Sequence, residues 1–590
     1  MTTSNRRDIP DSLVASLEAS IDHFGDRPAF GLRRDDQWVW VTYAQFGRLV
    51  DWLRGGLAQL GIEPSDRVAV ISGNRLEWAG IAYAAYGRGA VIVPMYETQP
   101  AAEWEHILRD SGAKVLFAAD RRIADRIEDA RRELPELQHI VVIDGNGQDS
   151  LADLTMNGRM NPVSSVWPWP DDIAGLIYTS GTTGLPKGVM LTHGNIISDF
   201  VASARLFPID ENDRSLAFLP WAHSFGQTAE LHCLLWRGAS IAVCGGLNRL
   251  LDDIGEVRPT VFFTVPEVFN RARAAVLDKV QKKPRPLAAL LMRGIHAAMA
   301  TTNNARLSWL DRLARGISGR LVFKSLRKRF GGRLRFCFCG GAALGRETAI
   351  FLEAAEIPVY EGYGLTETSP MVAVNCPTAC RRGSVGRPLP DVKVEIDHAP
   401  DETEGEIVVR GPNVMKGYWN AAGGHDLVGP DGRFRTGDLG RIDGDGYLFI
   451  TGRIKEKYKL SNGKYVAPVV IEEQLKLSPY IAQVMVCGDD RPHNVAVIVP
   501  KSEALQSWAV SVGLNRLTIS DLLRHEATDK LFRQEIDRMS GRLKSFEKVR
   551  GFVLSAEEFS QVNDQLTPTM KLKRRNIMKR WQEAIARLYV

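Results

Sequence analysis

The sequence predicts an α/β protein built on parallel sheets, followed by a small antiparallel sheet and a compact mixed segment. Three observations carry this. Short, continuously apolar strands alternate with helical patterns from residue 30 to 145, and the alternation resumes after 170. Strands that are apolar on both faces, separated by helices, are the mark of a parallel sheet covered on both sides. Between 391 and 450 the rhythm changes to short strands broken by Gly/Asp turns, which reads as hairpins.

Taken in order, Arg67-Val68-Ala69-Val70-Ile71-Ser72, Gly89-Ala90-Val91-Ile92-Val93-Pro94, Lys114-Val115-Leu116-Phe117-Ala118 and Ile140-Val141-Val142-Ile143 are the first strands, with a helix over Ala102 to Ser111 among them. Ile173 to Tyr178, Ser240 to Val243, Thr260 to Thr264, Leu334 to Phe338 and Val359 continue the pattern. Val392 to Ile396 and Glu406 to Arg410 belong to the antiparallel block, where Asp443-Gly444-Asp445-Gly446 signals a turn. From about Arg453 a mixed segment follows, ending in helical patterns around 519–546 and 573–589.

At 590 residues the chain exceeds one ordinary core, so two or more domains are expected. Its 44% apolar content is that of a folded protein. No run of about 18 uninterrupted apolar residues occurs, so no spanning helix is expected. The best candidate, Ala79 to Met95, is broken by Gly87, Arg88 and Gly89. The opening MTTSNRRDIP lacks an apolar core after its arginines, which predicts no secretory leader. Seven cysteines without a C-x-x-C pair read as reduced thiols of a cytoplasmic protein, and not as a zinc site.

The net charge of +5 conceals an asymmetry. Residues 271–335 hold 17 Lys/Arg and two acids, a local +15, which leaves −10 for the rest. Apolar residues recur between these charges at Leu287, Leu290, Leu291, Ile295, Leu310, Leu313 and Leu321. The segment is expected to form amphipathic helices with a basic outer face. That face is either simply solvated or drawn to anionic lipid or phosphate. No nucleic-acid-binding signature accompanies it, so no nucleic-acid partner is expected.

Four loops carry candidate chemistry. Tyr178-Thr179-Ser180-Gly181-Thr182-Thr183-Gly184-Leu185-Pro186-Lys187-Gly188 lies between two strands and offers glycines, hydroxyls and a lysine to a phosphate-rich ligand. It is not a Walker loop, because Pro186 stands where glycine should and Gly188 follows the lysine. Tyr360-Glu361-Gly362-Tyr363-Gly364-Leu365-Thr366-Glu367-Thr368 flanks an aromatic ring with glycines, which suits stacking on a flat base. Its Thr366 and Glu367 supply hard oxygen ligands of the kind Mg²⁺ accepts. In Arg435-Thr436-Gly437-Asp438 the aspartate is either a turn residue or an acceptor for ribose hydroxyls, with Arg453 a partner for ribose or phosphate oxygens. The fourth, Leu566-Thr567-Pro568-Thr569-Met570-Lys571, would on its own be an ordinary solvated lysine after a turn.

In this order, from Gly25-Asp26-Arg27-Pro28 to Arg575, the segments resemble the acyl-adenylate-forming superfamily, and specifically the long-chain fatty acyl-CoA synthetases. Gly340-Gly341-Ala342-Ala343-Leu344, Lys459-Leu460-Ser461-Asn462-Gly463 and the LTPTMK ending favour the long-chain group. The resemblance implies a large domain, 1–454, with two doubly wound sheet subdomains and a small antiparallel β subdomain. It implies a small mobile α+β lid, 455–590, turning about Lys455. It further implies ATP, Mg²⁺ and coenzyme A as cofactor and co-substrates, and conversion of a fatty acid to its thioester through an acyl-adenylate.

By this resemblance Thr179 and Glu367 hold Mg²⁺, and Ser180, Gly181, Thr182, Thr183, Gly184 and Lys187 cradle phosphates. Gly341, Glu361, Gly362, Tyr363 and Gly364 bind the adenine side, and Asp438 and Arg453 the ribose. The catalytic group is Lys571, Thr366, Glu367 and His223, the last at the acyl-pocket mouth in Leu219-Pro220-Trp221-Ala222-His223. The expected location is cytoplasmic, with peripheral contact at the inner membrane face. Two alternatives stay open: an acyl-AMP ligase serving a carrier protein, and a non-catalytic lipid-binding scaffold.

Overall fold

The computed structural model describes residues 9–179, 185–302, 304–400, 403–420, 428–429, 431–567 and 571–589. Its first sheet has seven strands, in the spatial order Gly417–Tyr418, Lys187–Thr192, Ile173–Thr179, Val91–Met95, Arg67–Ile71, Val115–Ala118 and His139–Val142. The last five are parallel. Alternate side chains enter different cores: Val68 and Val70 pack with helices Tyr43–Gln59 and Leu76–Tyr86, whereas Ala69 and Ile71 pack with helix Ala101–Ser111 and helix Arg121–Asp129. Burial on both faces is why these strands read as unbroken apolar runs.

The second sheet system combines Gln37–Thr42, Pro28–Arg34, Ser240–Val243 and Arg214–Ala217 with Val261–Thr264, Phe336–Cys339, Val359–Gly364, Met371–Val374 and Arg387–Pro388. The two groups are joined where Thr260 N donates to Arg214 O (2.9 Å) and Arg214 N to Thr260 Oγ1 (2.9 Å). The order of strands along the chain left sheet membership open at two places. The opening hairpin, inside the span read as one alternation, joins this second system, with Phe30 beside Ile241. Conversely Ile173–Thr179 completes the first sheet, with Gly175 opposite Ile92. Periodicity reports that a segment is a strand; which neighbour it pairs with is a long-range choice.

The antiparallel block is a sheet of Lys393–Asp397, Gly405–Arg410, Phe434–Ile442 and Leu448–Arg453. Beyond it, Ile481–Cys487, Asn494–Pro500 and Val549–Leu554 form a three-stranded sheet with its own cores. Val484 and Val486 face helix Glu526–Met539, while Met485 and Cys487 face the closing helices Arg574–Arg580 and Gln582–Arg587.

The basic segment is helical: Pro266–Gln281, Arg285–Thr301, Trp309–Ser318, the π-helical turn Gly319–Phe323 and Lys324–Arg329. The expected amphipathicity is only half used. Leu291 and Ile295 are buried, but Leu310 (40%), Leu313 (56%) and Leu321 (59%) remain exposed, together with Trp309 (69%). All seven cysteines are free. Among the described residues no helix is long and apolar enough to cross a membrane.

Candidate active site

Strand Val359–Gly364 brings the second motif into the middle of the molecule. It runs parallel to Phe336–Cys339 and antiparallel to Met371–Val374, with Tyr363 opposite Ala373. The Tyr363 hydroxyl donates to Asp438 Oδ2 at 2.7 Å. Burial, and then the Asp438 charge, hold this phenol well above its usual range, so it remains a donor. Asp438 is no turn residue: it sits in strand Phe434–Ile442, directly across from Arg453. Arg453 Nε lies 2.6 Å from Asp438 Oδ1. The carboxylate is 3% exposed, and its burial is compensated by one cation and one hydroxyl.

The glycines of this motif have separate reasons. A Cβ on Gly364 would lie 1.8 Å from Pro370 O, so backbone packing demands glycine there whatever binds to Tyr363. A Cβ on Gly362 would meet only ordinary contacts. Gly341 has φ +82°, the left-handed region. Its loop is tied to the strand by Leu344 N donating to Glu361 Oε2 at 3.1 Å. Burial raises the Glu361 carboxyl to about 7.

Thr366 and Glu367 occupy the 3-10 turn Thr366–Thr368. The turn is fixed from the far side: Asn413 Nδ2 donates to Thr368 O (3.1 Å) and Met371 O (2.7 Å), and Met415 N to Glu367 O (2.9 Å). Buried Ser224 Oγ lies 3.4 Å from Thr366 Oγ1, which joins this turn to the His223 segment. The Tyr418 hydroxyl donates to Glu367 Oε1 at 2.7 Å. Tyr418 also pairs with Val189 at the edge of the first sheet, and Lys187 Nζ lies 5.6 Å from its ring centroid. Thr179 is opposite Lys187 at the loop end of the antiparallel pair Ile173–Thr179 and Lys187–Thr192. Ser180, Gly181, Thr182, Thr183 and Gly184 lie outside the described residues.

His223 lies two residues before the π-helical turn Phe225–His232, a rare geometry often found at functional sites. Phe225 N donates to His223 Nδ1 at 3.1 Å, which assigns the ring proton to Nε2. Burial, and then the nearby Lys571 charge, lower His223 to about 4, so it is neutral at physiological pH.

Lys571 arrives from the C-terminal segment, with Thr567 N donating to Lys571 O (2.8 Å) and Lys571 N to Thr567 Oγ1 (3.0 Å). The residue keeps open surface on one side, while protein atoms crowd its ammonium. That crowding, and then Arg453, hold its pKa below the usual lysine value, against the pull of Asp438, Glu367 and Glu456. The segment is seated on the first sheet's helix by Lys573, whose Nζ lies 3.3 Å from Glu103 Oε1 and 2.5 Å from Asp564 Oδ1.

One cluster therefore gathers Tyr363, Thr366, Glu367, Asp438, Arg453, His223 and Lys571, from four separate stretches of chain. Tyr418, Ser224 and Glu456 belong to it and were not singled out in the sequence. Tyr418 lies in a two-residue strand, Gly417–Tyr418, too short to leave a periodic signal.

The profile described as AMP-binding enzyme matches residues 17–419, and that of the AMP-binding enzyme C-terminal domain matches 456–590. The long-chain-fatty-acid–CoA ligase FadD15 of Mycobacterium bovis is 33% identical over 598 residues, covering 96% of this chain and 96% of its own. Long-chain-fatty-acid–CoA ligase 1 of Homo sapiens is 32% identical, covering 98% of this chain and 86% of its own. Among solved structures, the adenylation domain of a carboxylate reductase from Mycobacterium chelonae superposes with a TM-score of 0.80 at 22% identity, over 100% of this chain and 92% of that one.

Proposed function

The chain belongs to the AMP-binding enzyme family, and from that premise we propose that it converts a long-chain fatty acid to its coenzyme A thioester through an acyl-adenylate. The observation that carries the reading is the meeting of Lys571 with Glu367, Asp438, Arg453 and His223 around the Tyr363 ring.

In the first half-reaction a fatty carboxylate oxygen attacks the α-phosphorus of ATP; the new O–P bond forms as the bond to the β-phosphate oxygen breaks, and pyrophosphate leaves. Both reactants are anions, so the barrier falls through positioning and charge neutralisation. The Lys571 ammonium is the cation for the α-phosphate and incoming carboxylate. Thr366 donates its hydroxyl to the same phosphate. Neutral His223, with its proton on Nε2, donates to the carboxylate at the acyl mouth. Asp438 accepts from ribose hydroxyls and Arg453 supports it, while Tyr363 stacks on the base beside Gly341, Glu361, Gly362 and Gly364. Residues 180–184 and Lys187 take the remaining phosphate oxygens.

Mg²⁺ suits the donors present. A single carboxylate, Glu367, held by Tyr418, and a single hydroxyl, Thr179, are few enough for an ion that takes most of its ligands from phosphate and water. When bound, it neutralises phosphate charge. In the second half-reaction the coenzyme A thiol gives up its proton to solvent, its sulfur attacks the acyl carbonyl, and AMP leaves with the electrons of the acyl carbon–oxygen bond. Residues 455–590 act as the lid, turning about Lys455 between the two steps, with Ser461-Asn462-Gly463 facing the pantetheine. The location we assign is cytoplasmic, with segment 271–335 touching the anionic inner face of a membrane.

Fatty-acid-dependent exchange of pyrophosphate into ATP, followed by addition of free coenzyme A, tests the reading. Exchange and thioester are the expected results. No exchange would return the scaffold alternative; exchange without a free thioester would return the carrier-dependent ligase.

A further inference from the structure

The apolar surface left open on the basic helices has a direction and a chemistry. Leu310 and Leu313 of helix Trp309–Ser318 and Leu321 of the π-helical turn Gly319–Phe323 are exposed apolar residues on one short stretch, while Ile317 between them packs against the core. Ala314 and Ser318, farther around the helix, take the core-facing side. Leu310, Leu313 and Leu321 thus meet solvent beside Trp309, which is 69% exposed.

The helix that bears them is firmly held. A Cβ on Gly294 of helix Arg285–Thr301 would lie 2.1 Å from Ser318 Oγ and 2.2 Å from Ala314 O, so the two helices touch backbone to backbone. Ser318 Oγ also donates to Leu291 O at 2.9 Å. The same helix and turn line a cleft of about 250 Å³ with Arg315, Arg320, Lys324 and Arg327 over Gly316 and Gly319. Glu356 at its rim is paired with Arg327 at 2.9 Å. Among the described residues no carboxylate pairs with Arg315, Arg320 or Lys324.

We propose that helix Trp309–Ser318 and the π-helical turn Gly319–Phe323 are the membrane-docking edge of this protein. Trp309, Leu310, Leu313 and Leu321 enter the interface of an anionic bilayer, and Arg315, Arg320 and Lys324 receive lipid phosphates in the adjoining cleft. A rigid helix with an aromatic-led apolar surface and a flanking cationic side is built to lie in an interface plane. The proposal rests on the membrane contact assigned to segment 271–335 and is independent of the ligase chemistry.

The test is co-sedimentation of the full chain with phosphatidylcholine vesicles, with and without about one-third phosphatidylglycerol, over a range of salt. Two variants are compared with the parent: Trp309→Ser with Leu313→Ser, and Arg315→Gln with Arg320→Gln and Lys324→Gln. The parent should bind only the anionic vesicles. The cationic variant should lose about 100-fold of that binding at low salt, taking about fivefold per cation. The apolar variant should lose about tenfold, chiefly of the binding that survives high salt. Hydrogen exchange at 309–321 should slow when vesicles are added to the parent, and thioester formation from a short, soluble fatty acid should be unchanged in both variants. Absence of parent binding overturns the membrane contact altogether. Parent binding that neither variant weakens overturns the docking edge alone. Heparin binding through the same cations, without vesicle binding, also overturns the proposal.

Discussion

Replacing Asp438 by asparagine isolates one charge at the heart of the cluster. The carboxylate is 3% exposed and accepts Arg453 Nε at 2.6 Å and the Tyr363 hydroxyl at 2.7 Å. Asparagine keeps the shape and one acceptor but leaves Arg453 without its counter-charge. A unit pair about 4 Å apart is worth about 4 kcal/mol at an effective dielectric of 20. The Arg453 side chain is 37% exposed, so solvent screens it, and about half of that, about 2 kcal/mol, is the expected loss of stability. The nucleotide loses a charged acceptor for its ribose, a further interaction of about 2 kcal/mol, or about 30-fold in affinity. Calorimetric titration with AMP reads the second effect and thermal unfolding the first. Tyr363→Phe, which keeps the charge and the ring, should cost less in both. A folded Asp438→Asn protein that binds AMP as tightly as the parent would refute the ribose assignment.

Tyr418→Phe should lower adenylation about tenfold at limiting magnesium and less at saturating magnesium, with little change in melting temperature, because it frees the Glu367 carboxylate it orients; an unaltered magnesium dependence would contradict this. Glu230 is fully buried, accepts from Ser215 Oγ, and is pushed by burial from 4.5 up to about 8, with the Trp221 indole alongside but short of a hydrogen bond. The native state thus keeps a proton that the unfolded chain releases, so this stability is complete below about 4.5 and is lost as pH rises through about 8, by up to about 5 kcal/mol. Glu230→Gln should therefore flatten the fall in melting temperature between about pH 6 and about pH 9; parallel profiles would mean that Glu230 is charged in the native state.

Much of the fold was legible because burial leaves a periodic trace. The first parallel strands could be read from unbroken apolar runs, since Val68 and Ala69 face opposite cores. Sheet membership could not be read: the hairpin Pro28–Arg34 with Gln37–Thr42, and strand Ile173–Thr179, chose partners by long-range packing. At the site, the glycine-rich and acidic loops were visible because such compositions serve few other purposes. Asp438 was ambiguous in isolation, and only the partners Arg453 and Tyr363 give it a definite setting. Gly364 shows the reverse, a motif glycine whose local demand is the Pro370 carbonyl. Tyr418 and Ser224 left no signal, because each acts through one hydroxyl on a side chain distant in sequence. Nor could the exposure of Leu310, Leu313 and Leu321 be foreseen, since a helical wheel gives the apolar face but not which way it points.

The central claim is that Lys571, carried by the C-terminal segment, enters a nucleotide site made by the rest of the chain. Rapid-quench measurement of the two half-reactions in Lys571→Ala tests it directly. Adenylation from ATP and fatty acid should fall about 100-fold or more, as when a single transition-state donor is removed, while thioester formation from supplied acyl-adenylate and coenzyme A proceeds at the parent rate. Equal loss in both steps, or in neither, would contradict the claim.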